Sequence, residues 1–244
     1  MYTDYGSEIN EFYNVDISLL KQVLGEKLHY HVATGNFDPT NPFDQAIIDL
    51  YPYFEPGSKV LDCGSGWGGP ACMLKKDLNC DVTGVTISSY QVEHTKDLFE
   101  TILANCNDWK PTKYYDTAFF MESYTHMTPQ AILNIKDNVQ NLVMKDTLTI
   151  GDSFDIPHWY SKIRTKEMFC NEIEAAGFQI KEFKIEHSYL APSIEYWNNN
   201  LLKLNIDVLP MHLSLIKEFC NDYQRAATRY DTLLGSITIY ATKI

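Results

Sequence analysis

At 244 residues with 45% hydrophobic content, the chain can bury one substantial core with an appended cap, and two independent domains are not expected. Its 20 Lys and Arg against 32 Asp and Glu give a formal net charge of −12 with no basic run, which argues against nucleic acid as a partner. No stretch approaches about 18 consecutive apolar residues and Met1 to Glu8 form no basic and apolar leader, so the expectation is a soluble, cytoplasmic protein without a membrane partner.

Helices are predicted over 10–24 and 42–53, within and after a segment, 1–40, rich in aromatic residues: Tyr5, Phe12, Tyr13, Tyr30 and Phe37. A strand over 58–63 then enters a glycine-rich turn that opens onto a helix over 69–77. Gly64 supplies backbone freedom, Gly66 removes a Cβ where a ligand must approach the main chain, and Pro70 suits the first turn of a helix. Two patterns fit. Gly64, Gly66 and Gly69 satisfy the dinucleotide pattern G-x-G-x-x-G, whereas Asp62, Gly64, Gly66 and Gly68 satisfy the acidic-x-G-x-G-x-G pattern of enzymes that use S-adenosyl-L-methionine (SAM).

The strand over 81–86 bears on the choice. A dinucleotide site places Asp or Glu roughly 20 residues beyond the glycines to hold the ribose hydroxyls. Here the strand ends in Thr86 and Ser88 with no acid, which counts against NAD. Residues Asp81 to Gln91 resemble the small-molecule class I SAM methyltransferases related to the sterol C-methyltransferases and cyclopropane synthases, where V-T-G-V-x-x-S-x-x-Q replaces the ribose acid. By that resemblance Thr86, Ile87 and Gln91 are cofactor contacts, joined by Asp62, Gly64, Ser65, Gly66 and Trp67 of the turn and by Tyr13.

A helix over 89–98 leads to a strand over 101–107 ending at Asp108 and Trp109, which resemble the family's adenine-binding acid and its apolar neighbour. The strand over 115–121 runs through Met121, a further cofactor contact, into Glu122, Ser123, His126 and Met127. This stretch is similar to the E-S-L-x-H-M signature of natural-product O-, N- and C-methyltransferases. A helix over 129–142, a strand over 146–151 with Asp152 after it, a helix over 165–176 and strands over 178–186 and 235–242 complete the order. The last two strands are too far apart for a bare hairpin, so residues 190–232 are read as a helical cap, with an amphipathic helix from Ile216 to Ala227.

Alternating strands and helices imply a Rossmann-like α/β fold, a mostly parallel seven-stranded sheet with helices on both faces plus the cap. In open sheets of this kind ligands bind outside the carboxyl ends of the strands, where all the candidate residues fall. The segment 1–40 is read as an N-terminal lid and the cap as a second cover. The resemblance implies methyl transfer from SAM to a small-molecule acceptor, releasing S-adenosyl-L-homocysteine (SAH). An oxygen or nitrogen acceptor is preferred over carbon, with His126 as base, assisted by Asp152 or His29. Two alternatives stay open: C-methylation of an alkene or isoprenoid, with Glu122 stabilising a carbocation, and a methyltransferase-like fold that binds SAM without transferring methyl.

Each candidate has a plainer counterpart. Trp67 can pack on the neighbouring helix, His126 can be satisfied by backbone, Glu122 can cap a loop, and Asp152 can be an N-cap. Tyr189, Tyr196, Trp197, Tyr223 and Tyr230 of the cap read as packing more than as contacts. Six cysteines without a C-x-x-C pair read as reduced thiols, and no two histidines stand at i, i+4 with an acid between them, so no metal site is expected. Oligomeric state is left open.

Overall fold

A computed structural model describes residues 17–26, 28, 43–156, 161–187 and 190–244. Tyr13, His29, Tyr189 and most of the segment 1–40 lie outside the described residues. Helices α1 (Ile17–Leu24) and α2 (Asp44–Ile48) precede strand β1 (Lys59–Cys63), and α3 (Gly69–Leu78) links β1 to β2 (Asp81–Thr86). Then come α4 (Ser89–Thr95), β3 (Glu100–Leu103), β4 (Tyr115–Met121), α5 (Gln130–Ile135) and β5 (Val139–Thr149). After β6 (Phe154–Ile156), β7 (Ser161–Thr165), α6 (Lys166–Ala175) and β8 (Phe178–His187), the helices α7 (Leu190–Leu201) and α8 (Met211–Leu233) lead into β9 (Leu234–Lys243).

The seven expected strands form the expected sheet, in the order β3-β2-β1-β4-β5-β9-β8, parallel except for β9. Successive side chains alternate between its faces. Leu61, Phe120 and Met144 join the core shared with α5 and α6, while Val60, Phe119 and Val143 join the core shared with α2 and α3. Strand order reverses between β1 and β4, whose flanking connections depart in opposite directions and leave a crevice at their carboxyl ends.

Between α5 and β5 two boundaries differ from expectation for a physical reason. The helix predicted over 129–142 stops at Ile135, and β5 begins at Val139 rather than 146. Ile132, Ile135, Val139 and Leu142 keep a helical spacing, but Leu142, Val143 and Met144 are buried on both faces of a strand that pairs with β4 and β9 together. Burial between two neighbours favours the strand. The ribbon of β6 and β7 was not expected: β6 has three residues, two of them exposed, too few for an alternating pattern to register. Through Leu148↔Arg164 and Thr149↔Thr165, β7 extends the edge of β5 beyond the last β4 pair, Met121↔Lys145.

Two helices, α7 and α8, lie between β8 and β9, and the second runs 23 residues, with a single non-helical residue at Ala226. Leu20, Val23 and Leu24 of α1 share one apolar core with Ile194 and Trp197 of α7 and Leu213 and Ile216 of α8. Helix α1 and the helices α7 and α8 therefore pack as one unit. Trp197 is 4% exposed within it, so Trp197→Ala should cost about 3–5 kcal/mol and lower Tm by roughly 10 °C. Thermal unfolding checks this; an unchanged Tm with an altered acceptor KM would instead make Trp197 a pocket residue. Among the described residues no helix is long and apolar enough to cross a membrane.

Candidate cofactor and active site

The glycine turn is fixed from two sides. The amides of Gly64 and Ser65 both donate to Val85 O, at 2.8 and 3.0 Å, tying the turn to the end of β2. Gly64 has φ +82°, and a Cβ there would lie 2.5 Å from Ser123 Cβ at the end of β4, so only glycine fits. Gly66 differs: its φ is +54°, yet a Cβ would meet nothing nearer than Gln91 Nε2 at 3.9 Å. Its missing side chain opens onto a cleft of about 580 Å³, including the solvent at its mouth. Asp62, Ser65, Trp67, Gln91, Met121 and Glu122 form its walls, with Leu20, Leu24 and Leu28 from the N-terminal segment.

Two buried polar atoms on this wall, Asp62 Oδ1 and Ser65 Oγ, have no hydrogen-bond partner among the described residues. Buried polar atoms are seldom left so, and a ligand is the economical explanation. Asp62 is 1% exposed, and burial pushes its carboxyl up to about 7. The folded-state value lies above the unfolded one, so the associated stability is full below about pH 4 and is lost as pH rises through about 7. The loss is on the order of 4 kcal/mol at alkaline pH. Asp62→Asn removes it: in thermal melts without ligand, the variant's Tm relative to wild type should climb from pH 5 to pH 8. A pH-independent difference would show that the carboxylate is already compensated.

The Thr86 to Gln91 segment works as a bracket. Thr86 Oγ1 donates to Gln91 Oε1 at 2.5 Å, and Ser88 caps α4 by accepting from Gln91 N at 3.4 Å, which directs the Gln91 amide toward Gly66. Thr86 thus sits behind the wall residue rather than on the wall, and Ile87 is half-buried in the following bend. Since β3 ends at Leu103 rather than 107, Asp108 lies in an exposed turn closed by its own amide on Asn105 O at 3.0 Å, with Trp109 half-buried against the core. Asn105, two residues past Leu103, stands nearer the strand end than Asp108.

Beyond β4, Glu122 has φ +54°, an uncommon conformation for a side chain of its size, and lines the cleft. Its amide donates to Lys145 O at 2.7 Å, and Ser123 Oγ donates to Cys63 O at 2.6 Å, locking β4 to β5 and β1. His126 ends a 3-10 turn, Tyr124–His126, with Nδ1 3.3 Å from Ser161 Oγ, and is not among the cleft's walls. Asp152, expected beside it, lies in an exposed bend between β5 and β6. The carboxylate that meets this turn is Asp146, which accepts from Thr125 N at 3.0 Å. The sequence offered a signal for it: Lys145 and Asp146 are two charges inside an apolar central strand, and both are buried. Arg164 and Glu172, which also hold the turn, carried no such signal.

The electrostatic character follows from the inventory. Among the described wall residues Asp62 and Glu122 are the ionisable ones, both acidic, and no Lys, Arg or His joins them. Such a cleft suits a cationic group and disfavours a phosphate. No group of three or more His, Cys, Asp or Glu is placed to hold a metal among the described residues.

Comparison with known proteins agrees with this geometry. The family model described as mycolic acid cyclopropane synthetase matches residues 5–150. A sterol methyltransferase-like protein from Botryococcus braunii is 35% identical over 130 residues, covering 48% of this chain and 33% of its own length. The chain thus spans about a third of that relative. The structure of a cyclopropane synthase from Mycobacterium tuberculosis superposes with a TM-score of 0.81 at 13% identity, covering 99% of both chains. That of a coclaurine N-methyltransferase bound to N-methylheliamine and SAH gives 0.82 at 18% identity, covering 100% of this chain and 83% of the other.

Proposed function

Because the chain belongs to the mycolic acid cyclopropane synthetase family of class I SAM-dependent methyltransferases, we propose that it transfers the methyl group of SAM to an alkene carbon of a small apolar acceptor. The observation that carries this reading is the cleft between Gly66 and Glu122, whose ionisable described walls are both acidic and whose other walls combine Leu20, Leu24, Leu28, Trp67 and Met121 with Ser65 and Gln91. When bound, SAM supplies an electrophilic methyl group on a sulfonium. Asp62 is suited to its ammonium or sulfonium charge, the amino terminus of α3 to its carboxylate, and Gly64, Ser65, Gly66, Trp67, Gln91 and Met121 to its body. The unpartnered Asp62 and Ser65 atoms and the open space at Gly66 fit such a group.

Methyl transfer to an alkene would break the S–CH3 bond of SAM as one C–C bond forms, release SAH, and leave positive charge on the adjacent carbon. Glu122, on the cleft wall, is the residue suited to stabilise that charge and to accept the proton whose loss restores a neutral product. Trp67 and the leucines of the N-terminal segment exclude water, which would otherwise quench the cation. His126 is not among the described residues that line this cleft, which supports a carbon acceptor over transfer to oxygen or nitrogen with His126 as base. The relatives' names, sterol methyltransferase and cyclopropane synthase, also support a carbon acceptor.

The test is an acceptor panel read by SAH release: desmosterol and squalene for their side-chain or open-chain alkenes, cholesterol as the sterol whose side chain is saturated, and catechol and tyramine as oxygen and nitrogen acceptors. SAH should form with desmosterol or squalene and not with cholesterol. Release confined to catechol or tyramine would replace the carbon reading with the heteroatom one.

A further inference from the structure

Resting on the reading that Glu122 faces the acceptor, we infer that Arg164, backed by Glu172, is a positioning residue that aims the Glu122 carboxylate by clamping the turn behind it. Arg164 belongs to β7, and its side chain is fully buried. Nε donates to Glu172 Oε2 at 2.8 Å, Nη1 to Tyr124 O at 2.9 Å, and Nη2 to Met127 O at 2.6 Å. The guanidinium carbon sits 4.2 Å from the centre of the Tyr124 ring, whose hydroxyl donates to the same Glu172 oxygen at 2.6 Å. The two-pronged cation therefore grips the main chain at both ends of the segment Tyr124–Met127.

Bulk packing does not require this arrangement, since buried ion pairs can often be replaced by apolar side chains of similar volume. What the planar guanidinium adds is direction, because its donors leave at fixed angles. The other side of the same segment is anchored by Glu122 N on Lys145 O and by Ser123 Oγ on Cys63 O. Thr125 is tied as well, through its amide to Asp146 and its hydroxyl to Lys162 O at 3.2 Å. Between these anchors Glu122 is held at φ +54°, a conformation that persists only where its surroundings over-determine it. With Arg164 released, Glu122 can relax to negative φ and turn its carboxylate out of the cleft.

Arg164→Lys keeps the charge and loses the fork, so it is the informative variant. Two measurements are made on the full chain. In hydrogen exchange, the amides of residues 122–127 should exchange roughly tenfold faster, while β1 and β2 keep their protection. In turnover of SAM with desmosterol, kcat should fall about 10- to 100-fold with acceptor KM and SAH Kd little changed. The same substitution in a Glu122→Gln background should then be nearly silent, because no carboxylate remains to be aimed. Equal loss in both backgrounds, or unchanged exchange at 122–127, overturns the inference. Unimpaired desmosterol turnover by Glu122→Gln alone overturns the role of Glu122 first, and the inference with it, which separates the two failures. Should Arg164→Lys fail to fold, Tyr124→Phe, which removes one hydroxyl bond to Glu172, carries the same cycle.

Discussion

Glu122→Gln is expected to lower kcat for alkene methylation by about 10²–10³-fold, with SAM affinity within a few-fold of wild type. Gln keeps the size and the backbone bonds of Glu122, including its amide on Lys145 O, so the turn survives and the charge is what disappears. Charge stabilisation in a walled cleft acts only once the cation develops, hence on kcat and not on binding. Its companion carboxylate, Asp62, is too deeply buried, at 1% exposure, to substitute at the acceptor end. Single-turnover measurement of SAH release separates chemistry from product release. Near wild-type turnover would leave Glu122 as the strained cap of a loop, with no part in the reaction.

Gly66→Val should weaken SAM and SAH binding by roughly 10²-fold or more while the protein stays folded. A β-branched residue at φ +54° costs about 1–3 kcal/mol in backbone strain. Its Cβ would meet no protein atom nearer than 3.9 Å, so the side chain enters the cleft instead. Gly64→Ala is the control with the opposite outcome, because its Cβ would collide with Ser123 Cβ at 2.5 Å and unseat the junction of β1 and β4. Calorimetry should show a folded, non-binding Gly66 variant beside a thermally unstable Gly64 variant. If both bind SAM as wild type does, the glycine turn is not the cofactor cradle.

These contrasts indicate what the sequence made legible. The strand, glycine turn and helix at residues 59–78 were readable because turn chemistry is local: Asp62, three glycines at positive φ and Pro70 are all fixed within a few residues. Thr86 and Gln91 were readable as a pair, but not the division of labour in which Thr86 holds the Gln91 oxygen and leaves its nitrogen toward the ligand. The acid assigned to His126 was misplaced because strand length decides it. Starting β5 seven residues early makes Asp146 an interior residue of β5 that reaches Thr125, while Asp152 falls on an exposed bend. Arg164 was illegible for another reason, since its partners Tyr124, Met127 and Glu172 meet only through the tertiary fold. Likewise, nothing in Ile17 to Leu24 announces a shared core with α7 and α8, or that Leu20 and Leu24 wall the cleft.

The fate of the methyl group tests the central claim most directly. The protein is incubated with SAM carrying a deuterated methyl group and an equimolar mixture of desmosterol, squalene, cholesterol, catechol and tyramine, and the products are resolved by mass spectrometry with fragmentation. The expected result is label bonded to a former alkene carbon of the desmosterol side chain or of squalene, absent from cholesterol, whose side chain is saturated, and abolished in Glu122→Gln. Label on the catechol oxygen or the tyramine nitrogen, with every alkene recovered unlabelled, would contradict it.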